Sequence, residues 1–173
     1  NAPYTPLKFQ TGDQTYAAYL QGRCVAVTSD RSQLAAKRTS FPDPAAHTLL
    51  PEVLSKEPLT PATVNGDPAW ADAVRWTVYA LMQAEELGIT QANIDAKLAE
   101  AKAKPNLADL RRFLGVEGDF GRLLGLPADF VVQAVKAVGN YGEIFERNVG
   151  MGSKLKLERG LNRQWTQGGL IYS

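Results

Sequence analysis

Pro51, Pro58 and Pro61 stand in one extended, apolar-interleaved segment and divide the chain into two halves of different character. Proline fixes φ and drives its predecessor toward extended geometry, so residues 51–61 read as a stiff connector between domains. Any fold for this chain has to place mixed α/β sequence on one side of that connector and a succession of helices on the other.

Upstream, Thr5–Phe9 has the pattern of a short strand. Thr11 and Asp13 offer N-caps to a helix with the apolar stripe Tyr16, Ala17 and Leu20, ended by Gly22. Cys24-Val25-Ala26-Val27-Thr28 is apolar on both faces, the pattern of a strand covered on both sides. Ser29 and Asp30 follow and predict a second helix over Arg31–Arg38, with Leu34 and Ala35 inward. Thr48-Leu49-Leu50 is a third strand candidate. This helix–strand–helix order predicts part of an α/β sandwich.

Downstream, Gly66-Asp67-Pro68 is a strong helix start, with Asp67 as N-cap and Pro68 at the first helical position. Trp70, Ala73, Val74, Thr77, Val78, Leu81 and Met82 recur at helical steps and predict an amphipathic helix over 67–87. Thr90 caps the next, which carries Ile94 and Leu98 on one face. Shorter helices follow near 107–114, 120–124, 127–138, 141–148 and 160–165, punctuated by glycines at 115, 125, 139 and 150. The stripe of 67–87 needs a partner surface. Either the second half forms its own bundle, or strands outside these residues cover it.

Composition removes several function classes. At 173 residues and 45% hydrophobic the chain can bury a real core. Lys+Arg 19 against Asp+Glu 18 leaves a formal charge of +1, which argues against nucleic-acid or membrane-surface binding. The longest nearly apolar run, Trp76–Met82, is far short of the ~20 residues a bilayer span needs. One histidine, His47, and one cysteine, Cys24, exclude two-His and cysteine-rich metal sites, and no cofactor is expected. The absence of a start methionine and of a leader before Asn1 reads as a chain cut from something longer.

Few residues carry candidate chemistry. The glycines of 115–121, with Asp119-Phe120-Gly121, match no phosphate-cradle motif and read as helix punctuation. Glu85-Glu86 reads as a solvated face, and Lys154, Lys156, Arg159 and Arg163 as the charged outer side of a packed element. His47 reads as structural. Cys24 is either a small buried hydrophobe or an unpaired thiol lacking its partner. Asp30 sits where a strand should end and a helix begin; it is either the helix N-cap or a ligand group at the mouth of an α/β sheet.

Several long stretches then resemble a known family: GRCVAVTSDRS at 22–32, LPEVLSKEPL at 50–59, AEELGIT at 84–90, GNYGEIFERN at 139–148, and RGLN at 159–162 with Trp165 and Gly168-Gly169-Leu170. Together they are similar to the periplasmic substrate-binding proteins of polar amino-acid ABC transporters, of the general L-amino-acid type. The resemblance runs along nearly the whole chain and covers only the C-terminal half or so of such a protein. It implies an α/β, periplasmic-binding-protein type II fold in part. Residues 1–50 would be the end of ligand-binding lobe 2, 51–62 the hinge crossing, and 63–173 the C-terminal part of lobe 1 with a helical tail.

The resemblance also implies roles. Asp30 would receive the ligand's α-ammonium, with Ser29 and Thr28 beside it. Cys24 would be a disulfide residue whose partner lies upstream. The implied partners are an L-amino acid, the transporter permease and the missing N-terminal half; the implied location is the periplasm, with no bond chemistry. Two rival readings stand beside it. One is a helical protein-interaction module built on residues 67–173, and the other a dehydratase-like or wall-cleaving enzyme on the same architecture. The enzyme would need a cleft acid, and no Glu or His is placed for it.

Overall fold

The computed structural model describes residues 3–56 and 58–172. The chain separates into two compact units, residues 1–57 and 58–173.

The first unit is built on two helices, α1 (Gly12–Leu20) and α2 (Arg31–Arg38). Thr11 starts α1 through its hydroxyl, which accepts from the Gln14 N–H at 3.3 Å. Among the described residues of this unit, Tyr16 and Ala18 on α1 and Ala35 on α2 are buried. A salt bridge from Lys37 to Asp13 at 2.9 Å ties the two helices. Phe41 packs at 6.2 and 6.1 Å from the Tyr16 and Tyr19 rings and edge-on to His47 at 4.8 Å. His47 Nδ1 hydrogen-bonds the Tyr19 hydroxyl at 2.8 Å, so the chain's one histidine is a packed, partnered side chain.

The three expected strands do not form. Residues 5–9, 24–28 and 48–50 have no regular structure, and among the described residues the β-type contact is an isolated parallel bridge, Gln164 with Ile171. The run 24–28 is not covered on both sides: Val25 is 99% exposed and Cys24 is a half-buried free thiol. Hydrophobic β-branched sequence makes a strand only when a neighbouring strand takes up its N–H and C=O groups. These residues bring no such neighbour to it.

The second unit is helical. It comprises α3 (Pro68–Glu86), α4 (Ile94–Ala103), α5 (Ala108–Phe113), α6 (Phe120–Leu123), α7 (Phe130–Val138) and α8 (Tyr141–Asn148). The expected helix at 160–165 is instead two 3-10 turns, Gly160–Asn162 and Trp165–Gln167, separated by extended backbone at Arg163 and Gln164. Asp67 caps α3 by accepting from the Trp70 N–H at 2.9 Å, with Pro68 in the first turn.

The core is Ala80, Ala84, Ile89, Ile94, Ala101, Leu114, Phe130, Val131, Val132 and Val135. α3 packs on α7 and α8, and α4 on α5 and α7. The buried face of α3 is a line of small residues, Ala73, Ala80 and Ala84, which lets neighbouring helices approach closely. So the second half does form its own bundle, yet α3 keeps Trp70, Trp76 and Tyr79 at 55%, 40% and 41% exposure.

A polar clasp joins the two ends of the α4–α7 excursion. Asn140, 5% exposed, donates from Nδ2 to the Ile89 carbonyl at 2.8 Å. Its Oδ1 accepts from the Glu143 N–H at 2.9 Å, while the Glu143 carboxylate accepts from the Asn140 N–H at 2.8 Å, a reciprocal capping box that starts α8. Gln91 donates from Nε2 to the Lys136 carbonyl at 2.8 Å.

Candidate functional site

The residues singled out from sequence, Thr28, Ser29 and Asp30, lie together in the first unit at the entrance to α2. Asp30 occupies the N-cap position with φ −55° and ψ 137°, and its carbonyl accepts the first helical bond, from the Leu34 N–H at 2.9 Å. Its side chain makes no cap hydrogen bond. An aspartate at that position ordinarily turns back on the helix and satisfies an N–H of the first turn. Here the half-buried carboxylate is left out of the helix and the first-turn donors of α2 go without it. Ser29 is exposed and its hydroxyl contacts the Gln33 side-chain oxygen one turn on; Thr28 is exposed. Cys24, six residues before Asp30, precedes this junction.

Chemically the junction offers an anion beside a helix start and two hydroxyl groups. A carboxylate held so accepts charge-assisted hydrogen bonds from a primary ammonium, each worth about 1.5–3 kcal/mol. Among the described residues no group of three His, Cys, Asp or Glu side chains is close enough to hold a metal ion.

The second unit contains a concavity that sequence reading did not find. It has a volume of about 320 Å³ and is walled by Trp76, Tyr79, Phe113, Phe120 and Phe130, with Gln83, Arg112 and Glu117 as polar groups. Trp76 stands edge-on to Tyr79 at 5.7 Å and to Phe120 at 5.0 Å. Gly115 and Gly121, the outer two of the three spaced glycines, are what allow this wall. A Cβ on Gly115 would lie 1.9 Å from the Ala128 carbonyl oxygen, and one on Gly121 2.2 Å from that of Pro127. Glycine here is required by backbone approach, so the stretch is more than punctuation. The available signal was the pair Trp76 and Tyr79, which fall outside the helical stripe read from sequence and yet are large aromatics.

Two other readings change. Glu85 is not on a solvated face: it is 16% exposed and bonded by both oxygens to Arg159 at 2.9 and 3.1 Å, whereas Glu86 is exposed as expected and accepts from the Trp165 indole N–H at 3.3 Å. Arg159 accordingly points inward, unlike the outer charged side expected of the C-terminal basic stretch.

The chain as a whole matches one fold class, the periplasmic binding proteins. A solved ABC-transporter periplasmic binding protein from Brucella ovis, with glutathione bound, matches at TM-score 0.84 and 50% identity over 98% of this chain and 52% of its own. The chain thus carries part of that fold, consistent with a partial type II architecture, although the segments expected to be strands have no regular structure among the described residues. Along its whole length it is homologous to periplasmic amino-acid-binding proteins of ABC transporters. It is 50% identical over 175 residues to the general L-amino acid-binding periplasmic protein AapJ of Rhizobium johnstonii, covering 100% of this chain and 50% of that protein. It is 46% identical over 173 residues to the glutamate/glutamine/aspartate/asparagine-binding protein BztA of Rhodobacter capsulatus, again 100% of this chain and 50% of the other. The same figures, 46% over 173 residues with 100% and 50% coverage, hold for the putative amino-acid ABC transporter-binding protein YhdW of Escherichia coli. The chain spans about half the length of the curated relatives it matches. No protein-family model matches it. Among the described residues no helix is long and apolar enough to cross a membrane.

Proposed function

We propose that these residues are the C-terminal portion of an extracytoplasmic solute-binding protein that captures L-amino acids in the periplasm and delivers them to an ABC transporter permease. The observation that carries this is identity of 46–50% over the entire chain to three binding proteins of such transporters. On this reading 1–50 close one lobe, 51–62 cross between lobes, and 63–173 complete the other together with the upstream half. That half would supply strands to pair with 24–28 and a partner thiol for Cys24. The role is capture without bond chemistry, as the relatives are binding proteins.

Within the site, Asp30 receives the ligand's α-ammonium, with Ser29 and Thr28 lining the same edge. What supports this is the side chain's failure to cap α2. Glutathione, the ligand in the Brucella ovis structure, ends in a γ-glutamyl group with a free α-ammonium and α-carboxylate. That is the same grip an amino acid presents. The chain alone is expected to bind weakly. A micromolar ligand needs about 8 kcal/mol, and half the contacts without closure leave about 4, in the millimolar range.

The test is isothermal titration of the chain joined to its upstream half with glutamate, glutamine, aspartate, asparagine and glutathione. Micromolar binding of at least one is expected. Asp30→Asn should weaken it about tenfold or more while changing unfolding stability by less than about 0.5 kcal/mol. No heat from any ligand would favour the helical interaction module; unchanged affinity in Asp30→Asn would return that residue to a plain helix-start role.

A further inference from the structure

Residues 159–171 hydrogen-bond largely among themselves. Leu170 N–H donates to the Leu161 carbonyl at 2.8 Å, Ile171 to Arg163 at 3.1 Å, Trp165 to Ile171 at 2.9 Å and Gly169 to Gln164 at 3.0 Å. Side-chain hydrogen bonds from this knot reach consecutive residues at the C-terminal end of α3: Arg159 donates to Glu85 and Trp165 to Glu86.

The first link has a built seat. The Arg159 guanidinium lies 5.5 Å from the Tyr141 ring centre and 5.1 Å from that of Phe145, both on α8. It also donates to the Asn162 carbonyl at 3.0 and 2.7 Å. Gly142 leaves the necessary room: a Cβ there would meet Glu85 Oε1 at 2.7 Å and Arg159 Nη1 at 3.0 Å. One side chain therefore joins α3 by charge, α8 by its rings and the knot by its own carbonyl. Apolar burial does little of the holding, because Leu161, Trp165 and Leu170 are 48%, 57% and 51% exposed.

We propose that residues 159–171 are a latch that opens from α3 and α8 as one cooperative unit, with the Glu85–Arg159 pair as its catch, while the α3–α7–α8 core stays folded. The knot has too little core to keep its own bonds once undocked, so undocking and loss of its internal bonds are one event. Opening uncovers Glu85, Tyr141 and Phe145, which are part-buried beside the already exposed Glu86.

Native-state hydrogen exchange read by mass spectrometry on the 173-residue chain tests this. The amides of Trp165, Gly169, Leu170 and Ile171 are expected to share one opening rate, faster than that of the α7 amides. Arg159→Ala and Glu85→Gln should each raise that shared rate about tenfold or more, as loss of one partner strands the other charge. Exchange in α7 should be unchanged. Arg159→Lys, which keeps the charge without the two-pronged geometry, should give a smaller rise and serves if the alanine variant does not fold. Unchanged exchange across 159–171 in Arg159→Ala and Arg159→Lys, or equal acceleration in α7, would overturn the latch.

Discussion

Tyr141 shows how a single residue links packing to pH. Burial raises its phenol above the ordinary value of 10.0, the effect of nearby Glu85 adding to this and that of Arg159 opposing it. The folded state therefore holds the proton more tightly than the unfolded chain does. The corresponding stability is complete below pH 10 and is lost as pH rises through the raised value. Thermal melts from pH 9 upward should fall more steeply for the native chain than for Tyr141→Phe; parallel curves would remove Tyr141 from the account. At this scale legibility in the sequence followed distance along the chain. The Asp67–Trp70 cap lies within one turn and is legible in the sequence, because it depends only on local geometry. The Glu85–Arg159 pair closes over 74 positions, and nothing local says which carboxylate meets which guanidinium. Asp30 is intermediate: its place at a helix start was legible, but the direction of its carboxylate was not.

Helices announced themselves and strands misled. Arg31–Arg38 and Tyr141–Asn148 form over the spans expected for them, since an α-helix satisfies its backbone within its own residues. A strand takes its hydrogen bonds from another segment, so 24–28 carries strand sequence without strand structure. The turns between elements are the next most demanding feature. Gly115 has φ +70° and sits against the Ala128 carbonyl, whereas Gly125, also at φ +70°, has open space where a Cβ would go. Gly115→Ala should cost about 3 kcal/mol or more, from clash plus backbone strain, against about 1 kcal/mol for Gly125→Ala from strain alone. Urea unfolding of the two variants measures the difference, and equal losses would mean the α5–α6 turn shifts to absorb the clash.

Across the whole molecule the two units have unequal cores. The first buries Tyr16, Ala18 and Ala35, while the second buries a continuous cluster from Ala80 to Val135. Residues 51–56 are exposed, so trypsin should cut early after Lys56 and leave a fragment of the second unit that outlasts the first. Fragments lost at equal rates would show that the division carries no difference in stability. The connector was visible in advance through its prolines; the aromatic concavity was not, because it is assembled from α3, α5, α6 and α7, which periodicity treats one at a time. The clasp between Asn140 and Ile89 has a consequence of its own. It converts residues 89–140 into a ring whose entry and exit share one point, and the entropy of closing a ring grows only slowly with its circumference. Extra residues spliced into the exposed turn at 104–106 would enlarge that ring and leave the neighbouring helices where they stand.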